Sequence, residues 1–217
     1  MKRFLQTILI IPFLLVAGCS TYEKTGWSVL ARGGFNSGGI VENRELDAIS
    51  GATGKGFSAG VHALGEFSGR QFETGLDYLA YEQIIRYNDP ESVVKGEKKI
   101  TYGELRLPVT YNFRFLKNLN DYPFMTFKLG VNAGYVIDTR IEHTGNTPDH
   151  SIRNFSAGPT IGLVLTPLKI KNHMRLGAYI DLYRGSKIYT DPYHTGGKSG
   201  NTSFLNAGLQ LHFGSGL

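Results

Sequence analysis

Along most of this chain, apolar and polar residues alternate one for one. Residues 104–115 show the pattern plainly. Leu105, Leu107, Val109, Tyr111, Phe113 and Phe115 fall on one side, and Glu104, Arg106, Pro108, Thr110, Asn112 and Arg114 on the other. Successive side chains of an extended strand point to opposite faces, so this segment has one apolar face and one polar face. The same alternation recurs often enough to place eight strands, near 27–35, 56–66, 72–85, 100–115, 123–138, 154–166, 173–184 and 203–213. The apolar faces carry no charge. The opposite faces carry Arg32, Glu66, Glu73, Asp77, Glu104, Arg106, Arg114, Lys128, Asp138, Arg175 and Asp181.

Alternation suits either a soluble β-sandwich or a membrane β-barrel, and three features favour the barrel. Several strands reach eleven residues or more, the length that crosses a bilayer at a tilt, whereas typical soluble strands run to about 5–6. The connections 36–55, 86–99, 139–153 and 185–202 are long, and 67–71, 116–122 and 167–172 are short. Barrels of the outer-membrane type have such long external loops and short internal turns. Finally, five cations and six anions on the inner face of a sandwich would carry a severe desolvation cost. Inside a narrow barrel they can pair with one another and with water. The expectation is an all-β chain, an eight-stranded antiparallel up-and-down transmembrane β-barrel over 26–213.

Composition agrees. Charged residues are 19% of the 217, below the usual quarter, while glycine numbers 28 and Tyr plus Phe 25. Aromatic residues gather at the expected strand ends: Trp27, Phe35, Phe57, Phe72, Phe113, Phe115, Phe155, Tyr183 and Phe213. That is where a lipid-facing barrel has its aromatic girdles. Mid-strand glycines suit tight curvature and a crowded lumen. Pro108 and Pro159 lie inside strands, and each should interrupt its ladder because proline has no N–H to donate.

The first residues differ. Lys2 and Arg3 precede the apolar stretch Phe4 to Val16, too short to span a membrane as a helix and suited to a signal peptide over 1–18. Leu15-Val16-Ala17-Gly18-Cys19 resembles a bacterial lipobox, which would make Cys19, the chain's one cysteine, a lipidated first residue. Residues 19–25 then form a short periplasmic lead and 214–217 a C-terminal tail. One cysteine allows no internal disulfide and no cysteine metal site. The net charge of +5 falls near +3 without Lys2 and Arg3, and no Lys/Arg run exceeds two residues. Nucleic acid is not an expected partner.

Phe72-Glu73-Thr74-Gly75-Leu76-Asp77-Tyr78 resembles the "E-x-G-L-x-Y" strand of small porin-like outer-membrane β-barrel proteins common in Bacteroidetes. Glu104-Leu105-Arg106-Leu107-Pro108-Val109 is similar to that family's "L-E-I-P-L" strand. The resemblance covers about residues 26–213. It implies an eight-stranded barrel in the outer membrane of a Gram-negative bacterium, of the size of the OmpA and OmpX barrels. It also implies outer-membrane lipid, lipopolysaccharide and the barrel assembly machinery as partners, and for most members no defined activity.

An eight-stranded barrel is just wide enough for its own side chains. The inward charges should therefore form a packed ionic network that largely plugs the lumen. This makes a non-enzymatic structural or surface-contact protein the leading expectation. A narrow channel for small or apolar solutes is one alternative, and a lipid A-modifying enzyme another. An enzyme would need a Ser–His–acid set near the outer rim. His143, His150, Ser151 and His194 lie in loops with Glu142, Asp149 and Asp191 nearby, but no strand carries a lipid-facing His–Ser pair. A spacing of seven between His143 and His150 is no metal-ligand signature, and neither metal nor cofactor is expected. Gly197-Lys198-Ser199 lacks the rest of a phosphate loop, and Gly51 to Gly56 is no dinucleotide fingerprint. An extracellular partner is expected, if anywhere, on loops 36–55 and 185–202, where Tyr189, Tyr193 and His194 could form a tip.

Overall fold

The computed structural model describes residues 26–41, 49–67, 70–88, 95–115, 124–147, 151–171, 174–190 and 199–214. The signal segment, the lead 19–25 with Cys19, and residues 215–217 lie outside them. Eight long strands are present: β1 (Trp27–Val41), β2 (Ile49–Phe67), β3 (Arg70–Asn88), β4 (Lys95–Arg114), β5 (Met125–Asn146), β7 (Phe155–Lys171), β8 (Met174–Thr190) and β9 (Ser199–Phe213). A two-residue strand, β6 (Ser151–Ile152), flanks the upper end of β8.

Each long strand pairs antiparallel with its neighbours in the chain, and β1 pairs with β9 to close the ring. Closure leaves no sheet edge within hydrocarbon, where unpaired backbone groups cost several kcal/mol each, roughly. The register is staggered. A path of paired residues leaves β5 at Asp138, passes through Gly103, Ala80, Phe57, Phe35, Ala207, Ile180 and Leu163, and returns to β5 at Phe127. Strands that climb this way around a ring are tilted to its axis.

The alternation fixes which side faces out. Phe35, Phe57, Val61, Leu76, Val109, Val131, Ile137, Phe155, Ile180 and Leu209 stand exposed on the outer wall, Phe35 at 81% of its surface. They form an apolar belt around the barrel, the surface of a transmembrane β-barrel. Of the expected girdle residues, Trp27, Phe72, Phe113, Phe115 and Phe213 are also exposed. Tyr183 is not. It lies on the inward parity of β8 and is 4% exposed.

The strands run well past the spans read from the sequence. Above the belt, β3 continues to Asn88 and β4 begins at Lys95, so most of the expected loops 36–55, 86–99, 139–153 and 185–202 is strand. The reason is physical. The apolar-out signal ends where lipid ends, but the ladder continues into water. Outward residues there are polar, such as Glu82, Arg86, Glu97 and Lys99, and inward ones include Ile85, Tyr87, Ile100 and Tyr102.

Two irregularities matter. On β5, Glu104 pairs with Val136 but Gly103 pairs with Asp138, leaving Ile137 as an extra residue. Such a β-bulge reverses the inside–outside parity of everything beyond it. The second irregularity concerns the prolines. The β3–β4 ladder skips from Thr74–Val109 to Asp77–Arg106, across Pro108. The β7–β8 ladder ends at Thr160–Tyr183, next to Pro159, and the sheet resumes only at Ile152–Tyr189. Ala157 donates its N–H to Ser186 Oγ at 3.2 Å on this side. By the two-residue repeat, Pro159 would offer the next donor and has none.

Candidate functional site: the lumen

Three tiers of inward side chains fill the lumen. In the middle tier, charged groups form a closed cycle. Arg32 on β1 bonds Asp77 on β3 through Nε at 2.8 Å and through Nη2, and reaches Asp181 Oδ2 on β8 at 2.8 Å. Lys128 on β5 lies 3.3 Å from both Asp181 and Glu73. His62 on β2 closes the cycle, with Nδ1 2.7 Å from Glu73 and Nε2 3.0 Å from Asp77. An acid at each ring nitrogen suits an imidazolium. The cycle then balances Arg32, Lys128 and His62 against Asp77, Glu73 and Asp181. It crosses the barrel from β3 to β8, on opposite sides of the ring.

These groups are deeply buried, Asp77 at 3% exposure and Lys128 at 3%. Buried ions persist only where partners compensate the loss of water. Backbone composition makes room for them. A Cβ on Gly60 would collide with the Asp77 carboxylate, and one on Gly134 with the Glu104 carboxylate. At these positions, and at Gly162 beside Asp181, a lumen acid rests against the wall.

Above the cycle sits a second pair. Arg106 donates to Glu104 Oε2 from Nε at 3.0 Å and from Nη2 at 2.9 Å. Ser156 Oγ donates to Glu104 Oε1 at 3.0 Å and lies 3.0 Å from Tyr183 OH. The Arg106 guanidinium stacks over Tyr183 and Phe204, 4.7 and 4.5 Å from their centroids. A polar void lies between this pair and the cycle, lined by Arg32, Arg106, Lys128, Asn132 and Asp181 among others. Asn132 Oδ1 is buried without a protein partner among the described residues. Groups in that position are usually met by water.

The upper tier is an aromatic and aliphatic cap. Tyr81, Tyr102 and Phe204 pack with centroids 4.9 to 6.4 Å apart, beside Leu79, Ile85, Ile100 and Val136. Tyr81 OH donates to the Gly38 carbonyl. Lys98 is fully buried here, 3.2 Å from Tyr87 OH and 5.1 Å from that ring. The lower tier, toward the short turns, holds Glu66 and Arg114, with Arg114 Nη1 donating at 3.2 Å. Gln71, Asn112, Gln210 and His212 complete it.

Of the sequence-derived lumen residues, Arg32, Glu73, Asp77, Glu104, Arg106, Lys128 and Asp181 are buried inside and Glu66 and Arg114 half-buried at one mouth. Arg175 lies beside His212 in register at the same mouth. Asp138 is a correction. The bulge at Ile137 turns it outward, where it is exposed at the upper edge of the belt. His62 and Lys98 were missed. His62 shares the inward parity of Glu66 and was readable from it, whereas Lys98 precedes the expected start of its strand.

Of the loop groups, Glu142 and His143 are described, and each has another partner. His143 is exposed and its Nδ1 lies 2.7 Å from Thr147 Oγ1, while Glu142 bonds Arg140 at 2.8 Å. His150, Asp149, Asp191, Tyr193, His194, Gly197 and Lys198 lie outside the described residues, as do the side chains of Ser151 and Tyr189. Gly51 to Gly56 is part of β2, not a loop.

Neither a family model nor a curated protein matches this chain. Solved structures of related shape do. The outer membrane protein OprG from Pseudomonas aeruginosa is 13% identical at a TM-score of 0.49, covering 87% of this chain and 97% of that one. The attachment invasion locus protein Ail of Yersinia pestis, solved with the heparin analogue sucrose octasulfate, is 13% identical at 0.42, covering 88% and 100%. The outer membrane protein AlkL in lipid bilayers is 12% identical at 0.45, covering 91% and 93%.

Proposed function

We propose that this chain is an integral, non-enzymatic barrel of the Gram-negative outer membrane with a structural or surface-contact role. The observation that carries the reading is the closed cycle Arg32–Asp77–His62–Glu73–Lys128–Asp181 across the lumen, capped by Tyr81, Tyr102 and Phe204. His62 is held in that cycle, and Glu104 and Ser156 bond each other above it. An outer-membrane seat follows from the apolar belt on a closed sheet, the one strand architecture that satisfies its backbone in lipid. The lipobox-like segment adds a lipid anchor at Cys19. It fits an even-stranded barrel, whose two ends share the side of the short turns. Lipopolysaccharide and the assembly machinery are the partners this seat implies.

One observation favours a second reading, a narrow path for small or apolar solutes. The β7–β8 ladder is interrupted beside the aromatic upper lumen, at Pro159. Planar-bilayer recording separates the two. The wild type is expected to show no current steps, and an Arg106→Ala, Phe204→Ala double variant to show them. Steady steps from the wild type would overturn the plugged reading in favour of the channel.

A further inference from the structure

The cations just above the apolar belt are not all alike. On the β3–β5 side three are matched by an acid of the same wall. Arg86 Nε lies 3.2 Å from Glu97, Lys99 Nζ 2.9 Å from Glu82, and Arg140 Nη2 2.8 Å from Glu142. On the β7–β8 side Arg153 and Arg184 are exposed, and no described carboxylate lies within ion-pair distance of either. Arg184 directly follows Tyr183, the last residue of β8 paired with β7, and Arg153 directly follows Ile152, where pairing with β8 resumes. The two thus bracket the stretch where the ladder is open. Below them on the outer wall stand Phe155 and Leu182, 54% and 50% exposed, at the top of the belt.

That height is where hydrocarbon gives way to headgroups. A guanidinium offers a planar fork of donors that matches phosphate oxygens in pairs. Here two such forks are not committed to any described acid, and the adjoining backbone is released from its ladder. We propose that the outer face over the β7–β8 seam, carrying Arg153 and Arg184 above Phe155 and Leu182, seats the phosphate groups of an outer-leaflet glycolipid. Acyl chains would then lie along Phe155 and Leu182. The inference rests on the outer-membrane seat proposed above and adds which face of the barrel holds the lipid, and by which residues.

The test uses the full chain folded in neutral phosphatidylcholine nanodiscs. Lipid A with both phosphates, or the same glycolipid with its phosphates removed, is added at physiological salt, and retention is read by native mass spectrometry. Wild type should retain the phosphorylated form and not the other. Arg153→Gln with Arg184→Gln should weaken retention on the order of tenfold, the loss of about one charge-assisted contact. Arg140→Gln, whose cation is already held by Glu142, should change nothing. A double variant that retains lipid A like the wild type overturns the inference, as does equal retention of the dephosphorylated glycolipid or an equal loss in Arg140→Gln. A heat-shifted gel band from each sample reports the folded barrel. If the wild type shows none, the barrel reading itself fails, and this inference with it. A shifted band with unreduced retention sinks this inference alone.

Discussion

The same strands obey opposite rules at two heights. Within the belt, β3 turns Phe72, Leu76 and Tyr78 outward and Glu73 and Asp77 inward. A few residues later it turns Glu82 and Arg86 outward and Leu79, Tyr81, Ile85 and Tyr87 inward. The lower half is apolar outside and ionic inside. The upper half is polar outside and apolar inside, the arrangement of an ordinary water-soluble protein. The β2–β3 ladder is continuous through both, so the difference comes from the solvent and not from the backbone. Ladder hydrogen bonds hold the strands at either height, and the side chains then follow whichever medium borders each face.

The largest effect that would sharpen this comparison lies inside the belt. Asp77→Ala removes a carboxylate shared by Arg32 and His62 and leaves both buried without it. The expected loss is about 3–5 kcal/mol, read by reversible urea unfolding in phospholipid vesicles. A loss under about 1 kcal/mol would mean that water has replaced the cycle, and the middle tier is no plug. Next come paired arginine insertions on the outer wall. Val131→Arg, 60% exposed at mid-belt, should cost about 2–4 kcal/mol in the same assay. Ile84→Arg, on the outward parity of β3 above the belt, should stay within about 0.5 kcal/mol. Equal costs would break the two-height account. The smallest effect is expected at the upper surface. Glu82→Gln should leave the unfolding midpoint within experimental scatter at neutral pH. The Glu82 carboxylate beside Lys99 holds that ammonium above its usual range through their hydrogen bond. Whatever stability the pair gives is therefore present at neutral pH and is lost as the pH rises through the folded lysine's titration. The Gln variant should lack that alkaline loss.

The ring was legible because alternation is a strict code wherever lipid borders one face. The inward set from Arg32 to Asp181 followed from parity alone. Asp138 was not legible, since the bulge at Ile137 inserts one residue without marking it in composition. Lys98, Tyr87 and Ile85 were not legible either. Above the belt the outward face becomes polar, and a search for apolar-out alternation stops there. Tyr183 shows the same ambiguity in one residue. An aromatic near a strand end reads as girdle, yet its even spacing from Tyr179 and Asp181 places it inside. Which groups bond across the lumen depends on the stagger of the ring. Arg32 meets Asp181 from the far side of the chain, and no local spacing encodes that encounter.

The ladder between β1 and β9 sets Val29 directly beside Phe213. The barrel therefore has no true first or last stave, because every long strand has two neighbours of the same kind. Among the described long strands, chain order and spatial order agree all the way around, and the first and last pair without a connecting segment. For such a ring the choice of where the polypeptide begins is a matter of genetic history. Closing the ring requires the two ends of the barrel domain to meet.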